Sequence, residues 1–195
     1  MLLSMSRRRS LFAVVTVMAV SLACDALLLT EEGSRPDVDD DDEGSDLGAF
    51  DQALLDTHNE VRAAASPTPS PALSPLTWST SLATTAQAWG ERCVFEHSEG
   101  SLGENLALFS PREVDADMAT QVVELWASER ADFSLSSNSC AASAQCGHYT
   151  QVVWRGTERV GCGVAECDNV PDFGTGTLWV CNYDPPGNYV GERPY

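Results

Sequence analysis

Six cysteines between residues 93 and 181 constrain the fold of this chain more than any other feature of its sequence. An even number of cysteines in an exported chain predicts disulfide bonds, and six cysteines allow fifteen pairings. Zinc–thiolate binding is the alternative use of such a set. It is disfavoured because the sequence contains no CxxC pair and the close spacings suit zinc poorly. We therefore expect a domain with three disulfides, formed by Cys93, Cys140, Cys146, Cys162, Cys167 and Cys181.

The N-terminus carries the pattern of an export signal. Three arginines, Arg7 to Arg9, precede an apolar run of 13 residues from Leu11 to Ala23. The run is too short to span a bilayer, so residues 1–23 are interpreted as a signal peptide. Cys24 follows a small residue directly after this run, as the lipid-attachment cysteine does in bacterial lipoproteins. We favour a lipoprotein signal with Cys24 lipidated, and ordinary signal cleavage is the alternative.

An acidic segment follows at residues 25–48. Asp39 to Glu43 is a run of five acids, and the whole chain has a formal charge of −18. Such a segment cannot bury enough apolar surface to fold, so we expect a disordered tether that leads to a domain at residues 49–195. The charge also excludes nucleic acid as a partner, because binding to its phosphates needs basic patches. Contact with a membrane is expected only through the N-terminal lipid.

The domain combines helical segments with later strands. Apolar residues recur with a helical period in three segments, and a proline-rich loop, Ser66 to Pro75, separates the first two. Helices first and antiparallel strands afterwards predict an α+β fold in which helices cover a sheet. The predicted helices are 49–65, a second one capped by Ser79, and 113–132; the predicted strands are His148–Trp154, Arg159–Glu166 and Thr177–Tyr183.

The last two strands predict one disulfide. If residues 168–175 form the hairpin loop, Cys167 lies opposite Gly176 and Cys162 lies opposite Cys181. Opposed residues in antiparallel strands have Cα atoms about 4.5–5.5 Å apart, which a disulfide can bridge. The remaining pairs are then Cys140–Cys146, which closes a short local loop, and Cys93–Cys167.

A carboxylate continues the apolar face of the third predicted helix. Met118, Val122 and Leu125 stand at i, i+4 and i+7, and Glu129 follows at i+11. At this position the carboxylate points towards the interior or a cleft, and a buried carboxylate needs hydrogen-bonding partners. A solvated glutamate in the last turn of the helix is the alternative.

Two of the three histidines are candidate partners for such a carboxylate. His97 precedes Glu104 by seven positions, and His148 opens a predicted strand. Loops tied by disulfides would bring these groups together with Glu129. Two imidazoles and two carboxylates suit a divalent metal such as zinc, but the same groups also form hydrogen-bond networks that only hold a fold. The residue types alone favour the structural network. His58, inside the first helix, is interpreted as a packing or capping residue.

Five segments of the domain form a recognisable pattern: His58–Arg62 (HNEVR), His97–Ser98 with Gly103–Leu106 (GENL), Leu125–Glu129 (LWASE), Gly147–Trp154 (GHYTQVVW) and Cys181–Tyr189 (CNYDPPGNY). They resemble the CAP superfamily, which comprises cysteine-rich secretory proteins, insect antigen 5 and the plant pathogenesis-related group-one proteins. The resemblance covers essentially all of residues 50–195, and the C-terminal end is most similar to the plant group.

The resemblance implies a fold and a site. The implied fold is a three-layer α-β-α sandwich of the CAP (SCP) type with a mainly antiparallel central sheet. The plant relatives also imply the pairing Cys93–Cys167, Cys140–Cys146 and Cys162–Cys181, which agrees with the hairpin. The implied site is a cleft with four polar groups, which map onto His97, Glu104, Glu129 and His148. In several relatives the two histidines bind zinc or another divalent ion, so His97 and His148 are the expected metal ligands, with both glutamates lining the cleft.

The resemblance favours a non-catalytic binding module for a lipid, a sterol-like ligand or a divalent metal. We expect a monomer that acts at the cell surface or outside the cell, as a secreted protein or an outer-surface or periplasmic lipoprotein. The alternatives are a protease-like hydrolase that uses Glu104 and His148, and a structural or adhesive protein that binds a surface protein. The sequence contains neither a GxSxG elbow nor an HExxH motif, which argues against catalysis.

Overall fold

A computed structural model describes residues 47–110 and 113–195 of the chain. The predicted signal peptide, the lipidation site at Cys24 and all but the last two positions of the acidic tether lie outside the described residues. The limits of the domain therefore stay a prediction. Within the described ranges, none of the helices combines the length and hydrophobicity that a bilayer span requires.

Helices and strands alternate along the described chain. The helices are α1 (Ala49–Ala63), α2 (Thr80–Gly90), α3 (Ala116–Ser128) and α4 (Gly147–Val152), with a 3₁₀ turn at Glu129–Asp132. The strands are β1 (Thr77–Trp78), β2 (Gly103–Phe109), β3 (Phe133–Ser134), β4 (Ser139–Cys140), β5 (Arg159–Val170) and β6 (Gly174–Asp184). The proline-rich segment between α1 and β1 is a loop, as predicted.

The central sheet has four strands in the order β1-β5-β6-β2. Strand β6 is antiparallel to both β5 and β2, whereas the short β1 runs parallel to β5. Strands β3 and β4 form a separate ribbon. The predicted register of the last hairpin is confirmed, because Cys162 lies opposite Cys181 and Cys167 lies opposite Gly176. Both strands also continue into the predicted loop.

Helices cover both faces of the sheet, which confirms the α-β-α sandwich. On one face, Leu54 of α1 and Val122 of α3 pack in one core with Trp179 of β6. On the other face, Ala86 of α2 packs in a second core with Val180 of β6. Successive residues of a strand point to opposite faces, so β6 contributes to both cores.

Two glycines allow α2 to lie directly on β5. A Cβ atom at Gly163 would be 2.4 Å from the backbone nitrogen of Gln87, and a Cβ atom at Gly161 would be 2.3 Å from that of Ala83. The helix begins as predicted, because the Ser79 side chain accepts a hydrogen bond from a backbone N–H of its first turn.

The three disulfides have the predicted pairing. Cys93–Cys167 fastens the segment after α2 to β5, and Cys140–Cys146 fastens β4 to the residue before α4. Cys162–Cys181 joins the two central strands. Their Cα–Cα distances are 5.6 Å for Cys93–Cys167, 5.8 Å for Cys140–Cys146 and 4.0 Å for Cys162–Cys181.

The prediction of a strand at His148–Trp154 is wrong, because this segment contains helix α4. Its β-branched and aromatic residues favoured a strand. However, Glu129 accepts the backbone N–H groups of His148 and Tyr149, and so satisfies donors that a helix N-terminus leaves free. The buried face then follows helical spacing, with Tyr149, Val152 and Val153 in one cluster.

The prediction for the third helix is wrong in two respects. Helix α3 begins at Ala116 rather than Glu113, because the side chain of Asp115 caps it by accepting the backbone N–H of Met118. Leu125 is 49% exposed and does not belong to the inner face. The buried stripe runs instead through Met118, Ala119, Val122, Val123 and Trp126.

Candidate functional site

Glu104 of the first pair lies on strand β2, which the sequence analysis did not predict, and His97 lies in the segment that precedes this strand. Glu104 Oε1 lies 2.8 Å from His97 Nδ1, and the same oxygen accepts the backbone N–H of Ser98 at 2.9 Å. The side chain of Glu104 is 5% exposed, whereas that of His97 is 65% exposed. Because an ionised carboxylate only accepts hydrogen bonds, Nδ1 of His97 carries a proton, and Nε2 is left for another partner.

The second pair has the same chemistry and joins the 3₁₀ turn that follows α3 to helix α4. Glu129 Oε1 lies 2.5 Å from His148 Nδ1, while Oε2 accepts the backbone N–H groups of His148 and Tyr149 at 2.9 and 3.1 Å. Burial raises the pKa of the Glu129 carboxyl, but the hydrogen bonds from His148 and Tyr149 outweigh it and hold the pKa below the ordinary 4.5. The Glu129 side chain is 15% exposed, so it is not the solvated last-turn residue of the alternative interpretation.

A cavity of about 450 Å³ brings the two pairs together. His97, Glu104 and His148 contribute to its walls, and Glu129 lies behind His148. The His148 ring stacks on Trp126 with 6.1 Å between ring centroids. The other wall residues are Phe95, Glu96, Asn105, Leu106, Gln145, Cys146, Gly147 and Asn188. The fold therefore gathers three of the four predicted side chains around one space and places the fourth directly behind it.

A buried hydrogen-bond chain lies beneath the cleft. Asn105 donates from Nδ2 to the backbone oxygen of His148 at 3.1 Å and to the hydroxyl of Tyr183 at 3.0 Å. His58 Nδ1 donates to the backbone oxygen of Leu54, so the Tyr183 hydroxyl donates to His58 Nε2 at 2.8 Å. Burial lowers the pKa of His58 to about 4, which keeps this imidazole neutral. His58 is thus a buried packing residue that ties α1 to the floor of the site.

Arg62 fixes the opposite end of α4. Its buried guanidinium donates to the backbone oxygens of Val152 at 2.9 Å, Trp154 at 2.8 Å and Ser74 at 2.9 Å. Burial lowers its pKa to about 10, which leaves it protonated at neutral pH. A cation at the C-terminal end of a helix satisfies its free carbonyls. The sequence analysis gave Arg62 no role. The signal that could have identified it as a buried residue is its position one turn after His58 on α1.

The donor chemistry of the cleft fits a divalent cation. Both His97 and His148 give Nδ1 to a carboxylate, and neither Nε2 has a hydrogen-bond partner in the described part of the chain. This is the usual arrangement of histidines that bind metals. Within residues 47–110 and 113–195, no group of three or more His, Cys, Asp or Glu side chains is gathered as a metal cluster.

Comparisons with known proteins give relatives across most of the domain. Residues 55–183 match the model of the CAP family, described as the cysteine-rich secretory protein family. Pathogenesis-related protein 1A of Nicotiana tabacum is 43% identical over 148 residues, which are 74% of this chain and 80% of the tobacco protein. Peptidase inhibitor 16 of Bos taurus is 41% identical over 146 residues, which are 73% of this chain but 31% of the bovine protein.

The fold is also similar to solved structures. The crystal structure of NaASP2 with Zn²⁺ gives a TM-score of 0.62 at 25% sequence identity, and the match covers 76% of this chain and 86% of that one.

Proposed function

This chain belongs to the cysteine-rich secretory protein (CAP) family, and we propose that its domain is a non-catalytic binding module that takes a divalent cation in its cleft. The observation that carries the proposal is the shared geometry of the two imidazoles. Each gives Nδ1 to a largely buried glutamate, at 2.8 Å in His97 and 2.5 Å in His148. Such a carboxylate fixes the tautomer with an unprotonated Nε2 and makes that nitrogen a stronger ligand.

Each of the four residues then has a separate role. His97 and His148 hold the ion through Nε2, and Glu104 and Glu129 orient the two rings from behind. The carboxylates also place negative charge beside the two imidazoles, which attracts a cation to the cleft. A bound divalent cation would supply positive charge for an anionic or carbonyl group of a further ligand.

Zinc is the ion we expect. Imidazole nitrogen is a preferred ligand of zinc, and zinc accepts water or a ligand in the positions that the protein leaves open. The related NaASP2, 25% identical to this chain, has been solved with Zn²⁺.

Calorimetric titration of the metal-free domain with zinc chloride tests the proposal. The wild type should bind one equivalent, and His97→Ala and His148→Ala should each weaken binding by at least about tenfold. Glu99→Ala is a suitable control, because Glu99 is exposed and lies two residues from His97. Unchanged zinc affinity in both histidine variants would refute the metal site.

A second candidate function is the binding of an apolar ligand such as a lipid or sterol. A cavity of about 420 Å³ adjoins the cleft and shares Phe95 and Glu96 with it. Its aromatic walls, Phe95 and Phe173, are 48% and 47% exposed. Half-exposed aromatic residues around a concave site are typical of apolar ligand sites. A fluorescent sterol or fatty acid should then bind less tightly to Phe173→Ser, while His97→Ala should bind it as the wild type does.

We propose binding rather than catalysis because the sequence contains neither a GxSxG elbow nor an HExxH motif. Turnover of casein that is lost in Glu104→Ala and His148→Ala would favour a hydrolase. Binding to a surface protein that needs neither the metal nor an apolar ligand would favour a structural or adhesive role.

We propose an extracellular or cell-surface location, as a secreted protein or a lipoprotein. Three disulfides in a domain of this size support an oxidising compartment. Intact mass of the mature protein would decide whether Cys24 carries a lipid.

A further inference from the structure

Two buried oxygen atoms beside the cleft have no hydrogen-bond partner. They are Glu104 Oε2 and Asn182 Oδ1, and neither has a donor among the described residues. Asn182 is 1% exposed, and the side chain of Glu104 is 5% exposed. An unpaired polar atom in such a place costs about 1–3 kcal/mol, so two of them side by side need a physical explanation.

The sheet register places these two side chains next to each other. Glu104 of β2 lies opposite Asn182 of β6, and the following pair on the same face is Leu106 with Val180. Directly opposed residues of antiparallel strands share a face and have Cβ atoms about 4.5–5.5 Å apart. Leu106 and Val180 pack in the core beneath α2, so Glu104 and Asn182 also lie on that face. At this separation a side-chain amide reaches a neighbouring carboxylate.

A comparison with Glu129 shows which hydrogen bond Glu104 lacks. Glu129 gives one oxygen to His148 Nδ1, and its second oxygen accepts two backbone N–H groups. Glu104 likewise gives Oε1 to His97 Nδ1 and to the N–H of Ser98, but its second oxygen faces no donor. A single N–H donor at Oε2 would give Glu104 three hydrogen bonds, the number that Glu129 accepts.

We propose that Asn182 supplies this donor and is the positioning residue of the His97 pair. Rotation of its amide by 180° exchanges Oδ1 for Nδ2 with almost no change of shape. Nδ2 then donates to Glu104 Oε2, and Oδ1 turns away from the carboxylate. Asn182 also lines a cavity of about 410 Å³ with Trp89 and Ser98, where water can donate to the rotated oxygen.

The consequence is a chain of hydrogen bonds that runs from Asn182 of β6 through Glu104 to His97 in the cleft. With both oxygens held, the Glu104 carboxylate cannot rotate, and the proton of His97 stays on Nδ1. Asn182 does not itself line the cavity at His97, and it acts only through Glu104. The effect of Asn182 on the metal ligand His97 rests on the proposed metal site, whereas the hydrogen bond between Asn182 and Glu104 does not.

Nitrogen NMR of the metal-free protein tests the inference independently of metal binding. In the wild type, the ¹⁵N shifts of His97 and His148 should both report the Nδ1-protonated tautomer. In Asn182→Leu, His97 should move towards the Nε2-protonated form, while His148 keeps its wild-type shifts and so serves as an internal control for folding. Asn169→Leu, at an exposed asparagine of β5, should change neither. An unchanged His97 in a folded Asn182→Leu would overturn the assignment.

A measurement on the wild type covers the case in which Asn182→Leu does not fold. With ¹⁵N-labelled asparagine, one Nδ2 proton of Asn182 should exchange with solvent at least about tenfold more slowly than that of exposed Asn169, because it is hydrogen-bonded and buried. Equal exchange at the two side chains would overturn the proposed hydrogen bond in favour of a water that bridges Glu104 and Asn182.

Discussion

Glu104 and Asn105 are consecutive residues of strand β2, and between them they hold both histidines of the cleft. Their side chains leave opposite faces of the strand. Glu104 bonds to the His97 ring at 2.8 Å, and Asn105 donates to the backbone oxygen of His148 at 3.1 Å. Since β2 is an edge strand, the cleft lies across the open edge of the sheet. A shift of this strand by one residue would exchange the two faces and separate the histidines.

Glu129 has a structural as well as an orienting role, which Glu129→Gln should reveal. An amide offers only one acceptor oxygen, so the variant loses hydrogen bonds to the ring of His148 or to the N-terminus of α4. We expect a loss of about 1.5–3 kcal/mol in the free energy of unfolding, measured with denaturant. Glu124→Gln, at an exposed position of α3, is the control and should be neutral. Equal stabilities of the two variants would contradict the capping role.

The buried His58 should make the domain less stable at acidic pH. Burial lowers its pKa from 6.5 to about 4, so between these values the unfolded chain binds a proton that the folded protein does not. The contribution of His58 is therefore complete above pH 6.5 and falls as the pH drops towards 4, by on the order of 3 kcal/mol in total. Unfolding free energies measured at pH 7, 5.5 and 4 should show a smaller slope in His58→Gln. An identical slope in wild type and variant would contradict a neutral buried histidine.

The close contact between α2 and β5 predicts that Gly163→Ala is destabilising. The added Cβ would lie 2.4 Å from the backbone nitrogen of Gln87, so the helix must move. Overpacking of this kind costs about 1–3 kcal/mol, which would appear as a lower thermal midpoint. Gly100→Ala is the matched control, since the nearest atoms to its Cβ position lie at the ordinary contact distances of 3.8 and 3.9 Å. A variant at residue 163 as stable as the control would show that the helix is not held there.

Two disulfides should differ in their contribution to stability because they close loops of different length. Cys93 and Cys167 are 74 residues apart, whereas Cys140 and Cys146 are 6 apart. In the chain-entropy model this difference corresponds to about 2 kcal/mol. Replacing both members of the long pair by serine should therefore lower the free energy of unfolding more than the same change in the short pair. The opposite order would mean that contacts around Cys140–Cys146 outweigh loop entropy.

The Cys162–Cys181 disulfide was accessible from the sequence because it follows from the register of one hairpin. Once Cys167 is opposite Gly176, strand geometry places Cys162 opposite Cys181. The length of the hairpin loop was predicted less well. Val170 still pairs with Gly174, and both residues lie within the predicted loop.

The two elements that carry the residues of the cleft, β2 and α4, could not be predicted from the sequence in this way. Strand β2 was missed because its two faces are both buried: Ala107 lies in one core and Leu106 in the other, so the alternation of polar and apolar residues that marks a strand is absent. Helix α4 was mistaken for a strand because its start depends on Glu129, a residue 19 positions before His148. Tertiary contacts, not local sequence, determine both elements.

Zinc-edge anomalous diffraction from crystals of the domain grown with zinc measures the proposed site directly. We predict one strong peak in the cleft, about 2.0–2.1 Å from Nε2 of both His97 and His148, with Glu104 and Glu129 still bonded to the two Nδ1 atoms. The absence of a peak between the two rings, or a peak bound by only one of them, would contradict the account.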